Sequence, residues 1–164
     1  MTASDSNILV RLFANDDPRQ TALAAALLAD VAADGERLFV SNVVLCETVW
    51  TLARTYRFRR ERIGVVIDDL LASDVLMVED SDDVSAALAA FRAGRGDFAD
   101  YLIRERARRA GALPVATFDE TVMHEDGFAG PSKWRRRRRD ADGVSERPAP
   151  RYGRRRARRR RDDA

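Results

Sequence analysis

Residues 38–50 read Leu38-Phe39-Val40-Ser41-Asn42-Val43-Val44-Leu45-Cys46-Glu47-Thr48-Val49-Trp50, and their order decides the fold class. Three apolar residues fit a short buried strand, Ser41 is a natural helix cap, and the following run fits a helix. A strand passing directly into a helix is the unit of an α/β protein. Within this helix Glu47 has Val43, Val44 and Trp50 at i−4, i−3 and i+3, so the spacing places a carboxylate among apolar neighbours. An unpaired carboxylate taken out of water is costly, so Glu47 is expected to be protonated, paired with a base or bound to a cation.

The same strand-then-acid pattern recurs along the chain. Asp5 follows the short segment Thr2-Ala3-Ser4 and opens the run Ser6-Asn7-Ile8-Leu9-Val10. Leu113-Pro114-Val115-Ala116-Thr117 reads as another buried strand, with Asp119 just beyond its end. In open parallel sheets, ligands gather at the carboxyl ends of strands, where both acids are expected. A further pair lies in Gly96-Asp97-Phe98-Ala99-Asp100, where Asp97 can cap a helix and Asp100, three residues on, shares its face. The other elements alternate in the same way. Asp17-Pro18 starts a helix that runs to Ala33 and stops at Asp34-Gly35; another spans about Arg59 to Ala72. Val75-Leu76-Met77-Val78 reads as a strand, and Asp82-Asp83 open a helix with Val84, Leu88 and Phe91 as its apolar stripe. A helix from Asp97 to Ala110 follows. The expected architecture is α/β, a three-layer α/β/α sandwich around a small, mostly parallel sheet of four to five strands.

Convergent carboxylates with few other donors suit Mg²⁺, which prefers hard oxygen ligands and keeps several waters. A structural zinc site is excluded, because the chain has one cysteine, Cys46, and one histidine, His124. His124 sits beside Glu125 and Asp126 and reads as a surface residue, while Cys46, Trp50 and Tyr56 read as packing residues.

Taken together, the segments at Asp5 to Val10, Ser41 to Glu47, Asp97 to Asp100 and Thr117 to Asp119 resemble a PIN-domain ribonuclease of the VapC toxin type. The resemblance covers roughly residues 1 to 130. It implies metal-site acids at Asp5, Glu47, Asp100 and Asp119, a further catalytic acid at Asp97, and supporting polar residues at Asn7 and Thr117. It also implies Mg²⁺, with Mn²⁺ as a substitute, and endonucleolytic cleavage of RNA to a 5′-phosphate and a 3′-hydroxyl. The partners it implies are a cognate VapB-like antitoxin and a second copy of the chain in a homodimer. The chain departs from the family pattern in a first strand less apolar than usual and in Ser6, where threonine is commoner.

Charge divides the 164 residues in two. Residues 1–131 hold 14 basic and 22 acidic side chains, whereas 132–164 hold 15 basic and 5 acidic ones. The expected organisation is therefore a nuclease domain over 1–131 and an arginine-rich tail over 132–164 with too little apolar surface to order itself. An acidic body repels a polyanion unless cations or a basic element intervene, and the tail could be that element. No apolar run approaches the roughly 18–20 residues of a membrane span, and the N-terminus lacks a signal-peptide layout, so the expected location is cytoplasmic.

Other functions fit the same fold. A phosphotransferase would use the acid after the first strand as a nucleophile, usually with a second acid two residues on, and Asn7 stands there instead. A PIN nuclease outside a toxin–antitoxin pair and a non-catalytic RNA- or partner-binding module also remain open.

Overall fold

The computed structural model describes residues 1–134; the run from 135 onward, on which most of the expected tail falls, lies outside the described residues. Met1–Pro131 form one compact unit. Its elements follow the order β1 (Thr2–Ala3), α1 (Ser6–Ala14), α2 (Pro18–Ala33), β2 (Leu38–Val40), α3 (Asn42–Arg54), α4 (Arg60–Ala72), β3 (Leu76–Val78), α5 (Ser81–Ala93), α6 (Phe98–Arg109), β4 (Val115–Ala116) and β5 (Phe128–Ala129).

Local chemistry accounts for the boundaries. Asp17 accepts from the Gln20 amide at 3.0 Å, with Pro18 at the first helical position of α2. Ser41 Oγ accepts from the Val44 amide at 3.3 Å and starts α3 as its sequence suggests. Helix α1 ends where Asn15 turns left-handed, a conformation that its short polar side chain tolerates.

Every strand pairing is parallel. β1, β2 and β3 form one ladder, with Leu38 opposite both Thr2 and Leu76, while β4 and β5 form a second, with Val115 opposite Phe128. The five short strands are covered by helices in a three-layer α/β/α arrangement, as the sequence pattern implies. They divide into two ladders, of three and of two strands. The weakly apolar start of the chain still pairs. The Ser4 amide donates to Phe39 at 2.8 Å, and the buried Ser4 hydroxyl donates to the Asp5 carbonyl at 3.1 Å. Strand β5 follows a turn rather than an apolar run, so no sequence signal announces it.

The core gathers Leu9, Leu38, Val40, Leu45, Leu52, Ile67 and Val84, all fully buried. Helices α5 and α6 are also joined electrostatically, since Arg109 donates to both carboxylate oxygens of the buried Asp83 at 2.6–2.9 Å. No helix among the described residues is long and apolar enough to cross a membrane.

Because Ile67 is fully buried, Ile67→Ala should destabilise the protein by about 2–5 kcal/mol, read as a lower urea midpoint with an unchanged m-value.

Candidate active site

Parallel pairing puts the carboxyl ends of β1, β2 and β3 at one edge, followed there by Asp5, Ser41 and Glu79. Asp5 caps α1. One carboxylate oxygen accepts from the Ser6 amide at 2.7 Å and the other from Asn7 Nδ2 at 3.0 Å, so Asn7 orients the Asp5 carboxylate. Glu79 Oε2 accepts from the Asn42 amide at 2.7 Å, tying the end of β3 to the start of α3. Beside that contact, Asn42 Oδ1 is buried without a hydrogen-bond partner, a spare oxygen acceptor at the same edge.

Asp97 and Asp119 lie near enough to Asp100, at the start of α6, for their charges to act on it. The Asp97 amide donates to Asp100 Oδ2 at 2.8 Å, so Asp100 closes the first turn of the helix. Asp100 is half-buried. Burial pushes its carboxyl pKa up, and the negative charges of Asp97, Asp119 and Glu125 push it further, against the opposing hydrogen bond from Asp97. Asp119 behaves oppositely: the Thr121 amide, at 2.8 Å, and the Thr121 side chain hold its carboxyl below the usual range. Thr117 Oγ1 accepts from the Asp119 amide at 3.0 Å and supports this turn.

Two expectations change. Glu47 is exposed rather than embedded, because Val43 and Trp50, its neighbours along the helix face, are themselves 76% and 61% exposed. Helix α3 buries the other side, Leu45, Thr48, Val49 and Leu52, so apolar spacing around Glu47 marks an outward stripe. Trp50 is correspondingly not a packing residue, whereas Tyr56 is partly buried and donates to Asp16 at 2.6 Å. The second change concerns convergence. Among the described residues no three Asp, Glu, His or Cys side chains are close enough to form a ready ligand set.

A hard divalent cation nonetheless fits the chemistry of these residues. The donors are all oxygens, and the like charges that raise the pKa of Asp100 are what a bound cation would neutralise. His124 is exposed, and burial raises the Cys46 thiol pKa, so neither is suited to act as base or nucleophile.

Sequence spacing did not point to four neighbours of these acids. Glu125 shares the field of Asp100, Arg54 lies 3.7 Å from Asp97, Glu79 holds α3, and Arg60 binds the loop before α6. Only tertiary contacts bring them in. Arg54 also lines a groove of about 200 Å³ beside Asp97, walled by Val49, Trp50, Phe58, Ile63 and Phe98.

The profile of the PIN domain family matches residues 4–125. A VapC ribonuclease of Aquifex aeolicus (strain VF5) is 25% identical over 118 residues, which covers 72% of this chain and 87% of that protein.

An acid whose pKa is raised by folding opposes stability once it ionises; the penalty starts to shrink as pH falls through the raised value and is gone only below the ordinary carboxyl value of the unfolded chain. Asp100→Asn should therefore melt no lower than the wild type at pH 7.5 without divalent cations, and the difference should shrink as pH falls through the carboxylate range. Thermal melts across that range check it.

Proposed function

The chain belongs to the PIN domain family, and from that premise we propose that it is a metal-dependent endoribonuclease acting as the toxin of a toxin–antitoxin pair. The observation that carries the reading is Asp100, half-buried at the start of α6 in the field of Asp97 and Asp119. Similarity to a VapC ribonuclease supports RNA as substrate, and with it an intracellular site of action.

In this reading Asp5, Glu47, Asp100 and Asp119 hold Mg²⁺, or Mn²⁺ in its place, and Asp97 orients water beside it. The bound cation supplies Lewis acidity to the attacking water and charge neutralisation to the leaving oxygen. The residues themselves provide placement. Asn7 keeps the Asp5 carboxylate turned, Thr117 holds the Asp119 backbone while Thr121 lowers the pKa of its carboxyl, and the first turn of α6 fixes Asp100 against Asp97. The exposure of Asp5, Glu47, Asp97 and Asp119 leaves room for a phosphodiester to approach.

Partners follow from the same family likeness. The groove beside Asp97 combines apolar walls with Arg54 and suits a segment of a VapB-like antitoxin. The exposed Val43 and Trp50 offer apolar surface for the homodimer that VapC likeness implies. For residues 132–164, whose 15 basic and 5 acidic side chains contrast with the acidic body, we propose a role as a phosphate-binding arm.

Two experiments test the reading. Asp5→Asn and Asp119→Asn keep size and capping ability while removing charge, so each should abolish cleavage of cellular RNA in Mn²⁺ with little change in melting temperature; wild-type cutting by either variant sinks the assignment. If the fold is instead a non-catalytic module, calorimetry will find no Mn²⁺ binding. Removing residues 132–164 should weaken RNA binding and flatten its salt dependence by roughly 0.7 in slope per lost phosphate contact on a single strand. An unchanged slope assigns the tail no part in binding RNA.

A further inference from the structure

The loop Gly94-Arg95-Gly96 delivers the chain to Asp97, so its position decides where α6 and both of its acids stand. Each backbone N–H from Gly94 to Asp97 has a named acceptor. Gly94 donates to the Ala90 carbonyl at 2.8 Å, Arg95 to Glu125 Oε1 at 3.1 Å, Gly96 to the Tyr101 hydroxyl at 2.9 Å, and Asp97 to Asp100 Oδ2 at 2.8 Å. The carbonyls are held from another element. Arg60 on α4 donates to Gly94 at 3.0 Å, to Gly96 at 2.9 Å and to Phe91, and its guanidinium lies 3.7 Å over the Phe91 ring.

Glu125 is the distant member of this arrangement. Its carboxylate accepts from the Tyr101 hydroxyl at 2.8 Å and 3.0 Å as well as from the Arg95 amide. Tyr101 is buried to 1% exposure, and burial together with Glu125 raises its phenol pKa, so the hydroxyl remains a donor to Glu125 while accepting from Gly96. The fit around the loop is tight. A Cβ on Gly94 would lie 2.0 Å from the Tyr101 hydroxyl, and one on Gly96 would lie 2.2 Å from Val122 Cγ1 and 3.2 Å from Asp100 Oδ2. The loop thus has backbone contact with Tyr101 and Val122 on one hand and bonds to Arg60 on the other, which leaves little freedom in the path leading to Asp97.

We propose that Glu125 is a positioning residue of the nuclease site: through Tyr101 and the Arg95 amide it holds the Gly94–Gly96 loop against the clasp of Arg60, and so sets where Asp97 and Asp100 stand. This rests on the nuclease reading above. Glu125 touches neither acid directly, and its effect reaches them through the backbone. Displacing groups that orient a metal-site ligand commonly costs 10–100-fold in activity, and small misplacements act on the chemical step more than on binding.

The test uses the full chain in Mn²⁺ with cellular RNA, following a mapped cut by primer extension, and compares Glu125→Ala, Glu125→Gln, Tyr101→Phe and Asp100→Asn. Glu125→Ala should slow single-turnover cleavage by about 10–100-fold while leaving RNA affinity near wild type. Glu125→Gln, which keeps an oxygen acceptor, should recover most of the rate. Amide exchange at Arg95, Gly96 and Asp97 should quicken in Glu125→Ala, a readout independent of RNA. Tyr101→Phe removes a single oxygen and should show the same pattern, which keeps the proposal testable if Glu125→Ala does not fold. Wild-type cleavage by Glu125→Ala alongside an inactive Asp100→Asn overturns the positioning role alone. A Gln variant as slow as Ala, or a loss confined to RNA affinity, also overturns it. Wild-type cleavage by Asp100→Asn instead overturns the nuclease reading beneath it.

Discussion

Three short strands hydrogen-bonded in the same direction leave their carboxyl ends at one edge of the sheet, and the remaining structure answers to that constraint. Bonds at the margins extend the ladder pairings: Ser4 to Phe39, Leu38 to Val75 and Glu79 to Val40. A parallel pair cannot be closed by a tight turn, so each connection becomes one or two helices that cover the sheet. The residue after each strand then starts the next helix at the shared edge. Asp5 and Ser41 do so as caps, while Glu79 reaches across to the amide of Asn42.

Charge is the second constraint, and it works against the fold locally. Gathering Asp97, Asp100, Asp119 and Glu125 raises the proton affinity of a half-buried carboxyl that ordinary selection for stability would leave in water. Elsewhere acids are paired: Asp83 with Arg106 and Arg109, the buried Glu105 with Arg104 and Arg108. The contrast separates acids that join helices from Asp100 and Asp119, which have no ion-pair partner among the described residues, and from Asp97, whose one base, Arg54, stands 3.7 Å away. Weakly compensated charge of this kind is common at functional sites.

Glycine and arginine share the work of holding the loop that leads into α6. Gly94 and Gly96 let the backbone lie against Tyr101 and Val122, and Arg60 satisfies carbonyls that the end of α5 leaves without helical partners. The result joins α4, α5, α6 and the turn at Glu125 around a single loop.

By itself the amino-acid sequence determined the alternation of strands and helices, their caps, the parallel class of the sheet and the placement of acids after strands. These follow from local preferences: apolar period, proline at a first helical turn, serine or aspartate at a cap. Cap residues Asp5, Asp17 and Ser41 sit where their neighbours alone predict. Exposure was not legible in this way. Glu47 has apolar neighbours along its helix, yet only packing decides which face of α3 meets the core, and it turned Val43, Glu47 and Trp50 outward. Nor could spacing reveal that Glu125 would meet Tyr101 and Arg95, or Arg60 the loop before Asp97, across 24 to 36 positions of chain. Contacts between residues so far apart depend on how helices settle against one another, a collective outcome of packing that no short window of sequence contains.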